Sequence, residues 1–148
     1  MFPDVRRVIL LGLVAILLGC GGSSPSGPST PTVDPVVGAY DLFRVNGFTL
    51  PTTLFFTNGD RQTILSGVGS AQAGGGFSGT YQTLVNNVQA VVAVSGTWQR
   101  TVGGYSLSVS YTVNGQPAGS GTSTASLNGS TLIINDPSTG IVEEWRRR

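Results

Sequence analysis

Short runs of alternating apolar and polar residues, broken at regular intervals by Asn-Gly and Gly-Gly pairs, leave this chain little choice but an antiparallel β fold. Tyr105, Leu107, Val109, Tyr111 and Val113 alternate with Ser106, Ser108, Ser110 and Thr112. Successive strand residues point to opposite faces, so this run is half buried and half wet. Val88, Ala90, Val92, Val94 and Trp98 likewise share a face, with Gln89, Ser95, Thr97 and Gln99 mainly on the other. Asn-Gly pairs stand at 46–47, 58–59, 114–115 and 128–129. They suit the type I′ turn, whose two central residues both need positive φ, and the last three are placed as direct hairpin turns.

These signals predict nine strands: Gly38–Val45, Thr52–Thr57, Arg61–Ser70, Phe77–Leu84, Val88–Gln99, Tyr105–Val113, Gln116–Leu127, Ser130–Asn135 and Ile141–Arg147. No segment has a helical period. Regular strand spacing with turns between indicates a barrel or a sandwich. The expected fold is all-β, an antiparallel meander of about eight to nine strands closing as a barrel, which removes exposed edges. A two-sheet β-sandwich is the alternative, and pairing between the first and last strands decides between them. Gly38-Ala39-Tyr40, Gly79-Thr80-Tyr81 and Gly96-Thr97-Trp98 echo one another as Gly-x-aromatic, at unequal spacings. Each places a glycine that permits a bend beside an aromatic core anchor.

The N-terminus carries a different message. Arg6 and Arg7 precede an unbroken apolar run from Val8 to Leu18, followed by Gly19 and Cys20, the only cysteine. A basic start, a short apolar run and small residues form the pattern of a secretory signal. The run is too short for a bilayer span, which needs about 20 apolar residues. Leu17-Leu18-Gly19-Cys20 resembles the lipobox of bacterial lipoproteins. That resemblance implies a signal peptide over 1–19 and cleavage before Cys20, whose thiol and new amino group take acyl chains. Membrane lipid would then be a partner through acylated Cys20. More than one chain is needed for stable anchoring. Gly21 stands where an aspartate retains many lipoproteins in the inner membrane, so the resemblance implies the cell envelope, on the outer membrane where one exists.

Residues 20–35 read as the lipidated cysteine and a Gly/Ser/Pro linker, and 36–148 as the β domain. The linker mixes flexible Gly and Ser with locally stiff prolines and spans about 20 Å. With Cys20 acylated no disulfide remains, so packing alone must hold the domain.

Composition narrows the function. From Cys20 onward six arginines balance six acidic side chains, and the chain has no lysine and no histidine. A neutral domain lacks the basic footprint of nucleic-acid binding. Without histidine and lysine the commonest general bases and metal ligands are missing. The expectation is a non-enzyme with no cofactor and no metal. Of the carboxylates, Glu143 and Glu144 are neighbours on one strand and face opposite sides, which argues against a dyad. Glu143 shares a face with Ile141 and Trp145, so that face is mixed or pairs Glu143 with an arginine such as Arg44 or Arg100. Asp60 and Asp136 sit in turns, where aspartate caps its own backbone.

Gly38-x-Tyr40-x-Leu42, Val45-Asn46-Gly47 and Leu50-Pro51 resemble the start of small lipocalin-like lipoprotein domains. Gly96-Thr97-Trp98, Tyr105-x-Leu107, Leu132-x-Ile134 and Trp145-Arg146-Arg147 are similar to their later strands, so the likeness covers nearly all of 37–147. In lipocalins a Gly-x-Trp on the first strand closes the barrel base, and an arginine from a late strand packs over it. The resemblance places Tyr40 in the tryptophan's position and Arg146, or Arg147, as the arginine. It implies a fold more than a ligand. Val92, Val94, Trp98, Tyr105, Leu107, Val109 and Tyr111 are the candidate ligand-lining or core residues. Two functions fit: a barrel binding a small apolar ligand, or a structural or interaction lipoprotein of the envelope with a filled core and protein partners.

Overall fold

The computed structural model describes residues 32–57 and 59–148. Cys20, the signal segment, most of the linker and Asn58 of one predicted turn lie outside them. Residues 32–148 form one compact unit with its own core. All its regular structure is β: β1 (Gly38–Val45), β2 (Phe48–Thr49), β3 (Thr52–Phe55), β4 (Arg61–Ala71), β5 (Gly76–Val85), β6 (Val88–Thr101), β7 (Gly104–Val113), β8 (Gln116–Asn128), β9 (Thr131–Asp136) and β10 (Ile141–Arg147).

Strands β4 to β10 run as an antiparallel meander, and β1 lies between its two ends, pairing with both β10 and β4. Eight strands thus close a barrel, which rules out the sandwich. The pairing of the first strand with the last is the deciding feature. The short β2 was not expected from the sequence. It pairs with Arg44 and Val45 of β1, while β3 pairs with Arg61–Ile64 of β4. Both lie beyond the stretch, Gly38–Asp41 against Val68–Ala71, where β1 and β4 seal the ring. The seam is therefore closed by backbone pairing at one end and flanked by β2 and β3 at the other.

The turn chemistry explains the register. Asn46-Gly47 and Asn114-Gly115 have positive φ at both residues, as a type I′ hairpin requires. The first of these makes the β1–β2 hairpin. At the β8–β9 hairpin Asn128 pairs with Thr131, so the loop is Gly129-Ser130 rather than Asn128-Gly129. Only its glycine has positive φ, the type II′ pattern.

In β1 the alternation changes parity. Leu42 pairs with Trp145 and Arg44 with Glu144, which leaves Phe43 as an extra residue. Such a bulge shifts which face the following residues take. Arg44 consequently turns outward to Glu144 at 3.7 Å, and Val45 turns in and is fully buried. The core runs along the barrel interior, from Val36 and Tyr40 through Leu42, Leu107 and Trp145 to Val45 and Ile64.

Candidate ligand cavity

The interior is not filled. A cavity of about 460 Å³ runs along the barrel, and Val92, Val94, Trp98, Tyr105, Leu107, Val109 and Tyr111 all line it. Their inward faces follow from the period-two pattern, since Ser106, Ser108 and Ser110 between them are exposed. Small-molecule sites span about 300–1,000 Å³, and this volume falls within that range.

One end of the barrel is shut. The segment Asp34–Val37 lies across it, with Val36 buried. The Tyr40 hydroxyl donates to the Val36 carbonyl at 2.7 Å, and the Tyr105 hydroxyl donates to Asp34 Oδ1 at 2.8 Å. Arg100 adds an ion pair to Asp34 at 3.3 Å. Asp34 and Pro35, expected in the linker, therefore belong to the barrel. Burial pushes the Asp34 carboxyl up. The Val36 amide, the Tyr105 hydroxyl and the Arg100 charge outweigh this and hold it below the usual aspartate value.

The arginine at this end is Arg147, not Arg146. Arg147 pairs directly with Tyr40 in register, stacks over its ring at 5.5 Å and donates to its hydroxyl at 3.0 Å. It also donates to the Pro35 carbonyl. Arg146, one residue earlier, points outward over the Phe43 ring at 4.5 Å. Trp145 faces in, so strand alternation puts Arg146 out and Arg147 back in. Gly38 leaves room for the guanidinium, since a Cβ there would stand 3.2 Å from Arg147 Nε.

At the opposite end the cavity walls reach solvent. Ala118, Gly119, Ser120, Ser138 and Thr139 line the cavity and are exposed, beside Leu54, Phe56 and Ile141. Phe48 and Phe55, on β2 and β3 at this rim, are 68% and 80% exposed. The chain from the linker thus enters at the shut end, and the mouth is at the other.

One polar cluster interrupts the apolar wall. Glu143, on β10, faces the cavity and pairs with neither Arg44 nor Arg100. Instead the Tyr81 hydroxyl donates to its Oε2 at 2.9 Å, and Trp145 Nε1 donates to the same oxygen at 3.0 Å. The Tyr81 and Trp145 rings meet edge to face at 5.6 Å. Burial raises the Glu143 carboxyl above its ordinary value, and the Asp136 charge adds to this; the Trp145 and Tyr81 donors only partly offset it. Burial pushes the Tyr81 hydroxyl far up, with the Glu143 charge adding to it. Asp136 also lines the cavity, but its Oδ1 is engaged in its own turn by the Ser138 amide and hydroxyl, the capping role expected of it. Sequence reasoning noticed that Glu143 shares a face with Trp145. It missed Tyr81 as a partner, because no local spacing links β5 to β10.

Glycines set the shape of the walls. A Cβ on Gly67 would stand 2.9 Å from Leu42 Cβ and 3.2 Å from the Trp145 ring, so β4 gives the indole its place. A Cβ on Gly96 would fall 1.8 Å from the Ser108 carbonyl oxygen of β7 and 3.0 Å from Phe77.

Among the described residues no three His, Cys, Asp or Glu side chains come together to hold a metal ion. Comparison of the chain with models of protein families, with curated proteins and with solved structures gives no match.

Proposed function

We propose that this protein is a non-catalytic lipoprotein of the cell envelope, anchored through acylated Cys20, whose lipocalin-like barrel holds a small and mainly apolar ligand. The cavity carries this reading. A barrel of eight strands can be filled by its own side chains or can hold one small ligand, and here about 460 Å³ is left open behind aromatic and aliphatic walls. The basic start, apolar run and Gly19-Cys20 support the anchor. Gly21 favours the outer membrane where one exists. The mouth lies opposite the end where the linker joins, so a tether would leave it unobstructed.

The test is native mass spectrometry of a soluble chain of residues 32–148, before and after organic extraction. That chain keeps Asp34, without which the shut end loses its ion pair. An extractable adduct, or uptake from a panel of apolar molecules, supports the binding role. A bare mass with no uptake overturns it and leaves the interaction lipoprotein, whose partners would be envelope proteins.

A further inference from the structure

Among the described residues no cation pairs with Glu143. Arg44 pairs with Glu144, Arg100 with Asp34 and Arg148 with Asp41. Arg146 lies over Phe43 outside the barrel, and Arg147 is held at the shut end by Tyr40 and Pro35. No arginine lines the cavity, whereas two acids, Glu143 and Asp136, do. Both donors that reach Glu143 among the described residues bind Oε2, and neither reaches Oε1.

A half-buried carboxylate facing a mainly apolar cavity is costly to keep charged unless it is paired. A bound molecule can supply what the protein does not. We propose that the cavity takes an organic cation: an apolar body carrying one primary amine, whose ammonium sits against Glu143 Oε1. This rests on the reading of the barrel as a ligand-binding cavity and names the class of ligand. The walls suit such a molecule. Tyr81, Trp145 and Tyr111 surround the acid with aromatic rings, and a desolvated cation is attracted to ring faces. The apolar body would run toward Leu107 and Val94. An alcohol of the same body can donate a hydrogen bond but brings no charge. A carboxylate would meet two acids and be repelled.

The experiment uses decylamine, decan-1-ol and decanoic acid, which share one chain and differ in the head. Each is titrated at pH 7 into residues 32–148, followed by calorimetry and by fluorescence. The only two tryptophans, Trp98 and Trp145, both line the cavity and report on it. Charge-assisted hydrogen bonds exceed neutral ones by enough to predict that decylamine binds about tenfold or more tighter than decan-1-ol. Glu143→Gln should erase that preference while leaving decan-1-ol within about threefold. Equal or tighter binding of the alcohol or the acid by the unaltered protein overturns the cation assignment and leaves the cavity reading standing. That comparison needs no variant. An amine preference that survives in Glu143→Gln overturns the role of Glu143. Failure of all three to bind overturns both readings.

Discussion

The Tyr81 hydroxyl donates to Glu143 Oε2 at 2.9 Å, joining two strands that share no hydrogen-bonded edge and two residues 62 positions apart. The bond ties β5 to β10 across β4 and β1, the two strands that seal the ring, and gives a half-buried acid one of its two donors. Tyr81→Phe removes that donor and leaves the ring. The expected cost is about 1.5–3 kcal/mol at neutral pH, the range for a hydrogen bond to a charged group. The Glu143 carboxyl should rise further, because Tyr81 is one of the groups that lower it. Urea unfolding and a carboxyl NMR titration read the two effects.

Glu143→Gln should behave in the opposite way. Both donors land on one oxygen, and a glutamine carbonyl can accept both. A carboxyl whose value is raised in the folded state binds protons more readily there than when unfolded. Its contribution to stability therefore falls as pH rises from the ordinary glutamate value through the raised one, and stays low above it. The variant lacks this loss. It should be more stable than the unaltered protein at pH 7–8, with the gap closing on acidification toward the ordinary value. A gap that is constant with pH would show that Glu143 keeps an ordinary carboxyl.

Asp34 has the reverse sign. Its value is lowered in the folded barrel, so its contribution is present above the ordinary aspartate value and fades as pH falls through the lowered one. Asp34→Asn should weaken the shut end and flatten that acid limb. Proteolysis of the segment before β1, followed against pH, is the sensitive measurement.

Two glycines in the same pair of walls should respond differently to alanine. At Gly96 the new Cβ would overlap the Ser108 carbonyl, and both atoms belong to a paired backbone that cannot step aside. Overpacking costs about 1–3 kcal/mol where side chains can adjust, and Gly96→Ala should exceed that range or abolish folding. Gly121, which pairs with Val109 on the other side of β7, has open space around its Cβ position and no positive φ. Gly121→Ala should be neutral or stabilising by up to about 1 kcal/mol. Thermal unfolding distinguishes the two.

Cys20→Ala should abolish incorporation of labelled fatty acid and release the protein from the membrane fraction of an expressing bacterium. Retention of label in that variant would place the acyl chain elsewhere.

Much of this architecture was legible because the chain states its strands and turns in local terms. Period-two runs such as Tyr105–Val113 placed the inward face of the barrel, though not whether it encloses a cavity or a filled core, and Asn114-Gly115 placed a hairpin. What stayed hidden depends on long-range pairing. β2 is only two residues long and exists because β1 offers it an edge. The bulge at Phe43 has no signature in the residues around it, and it reverses the faces of Arg44 and Val45. The place of Tyr81 beside Glu143 and Trp145 was invisible for the same reason. They come from strands that meet only when the barrel closes.

That closure has an order in time. A growing chain presents β1 first, yet one of the two strands that enclose it is the last to be made. Until Ile141–Arg147 is available, β1 can hold only its hairpin partner β2 and, over a stretch of four residue pairs, β4, and β9 has nothing on its outer side. A polypeptide stopped before Ile141 would carry two open strand edges, each able to capture another chain. It would also lack Glu143, one of the two acids that line the cavity. The cavity comes into being only when β10 completes the ring, so a chain cut before Ile141 has no enclosed space to offer.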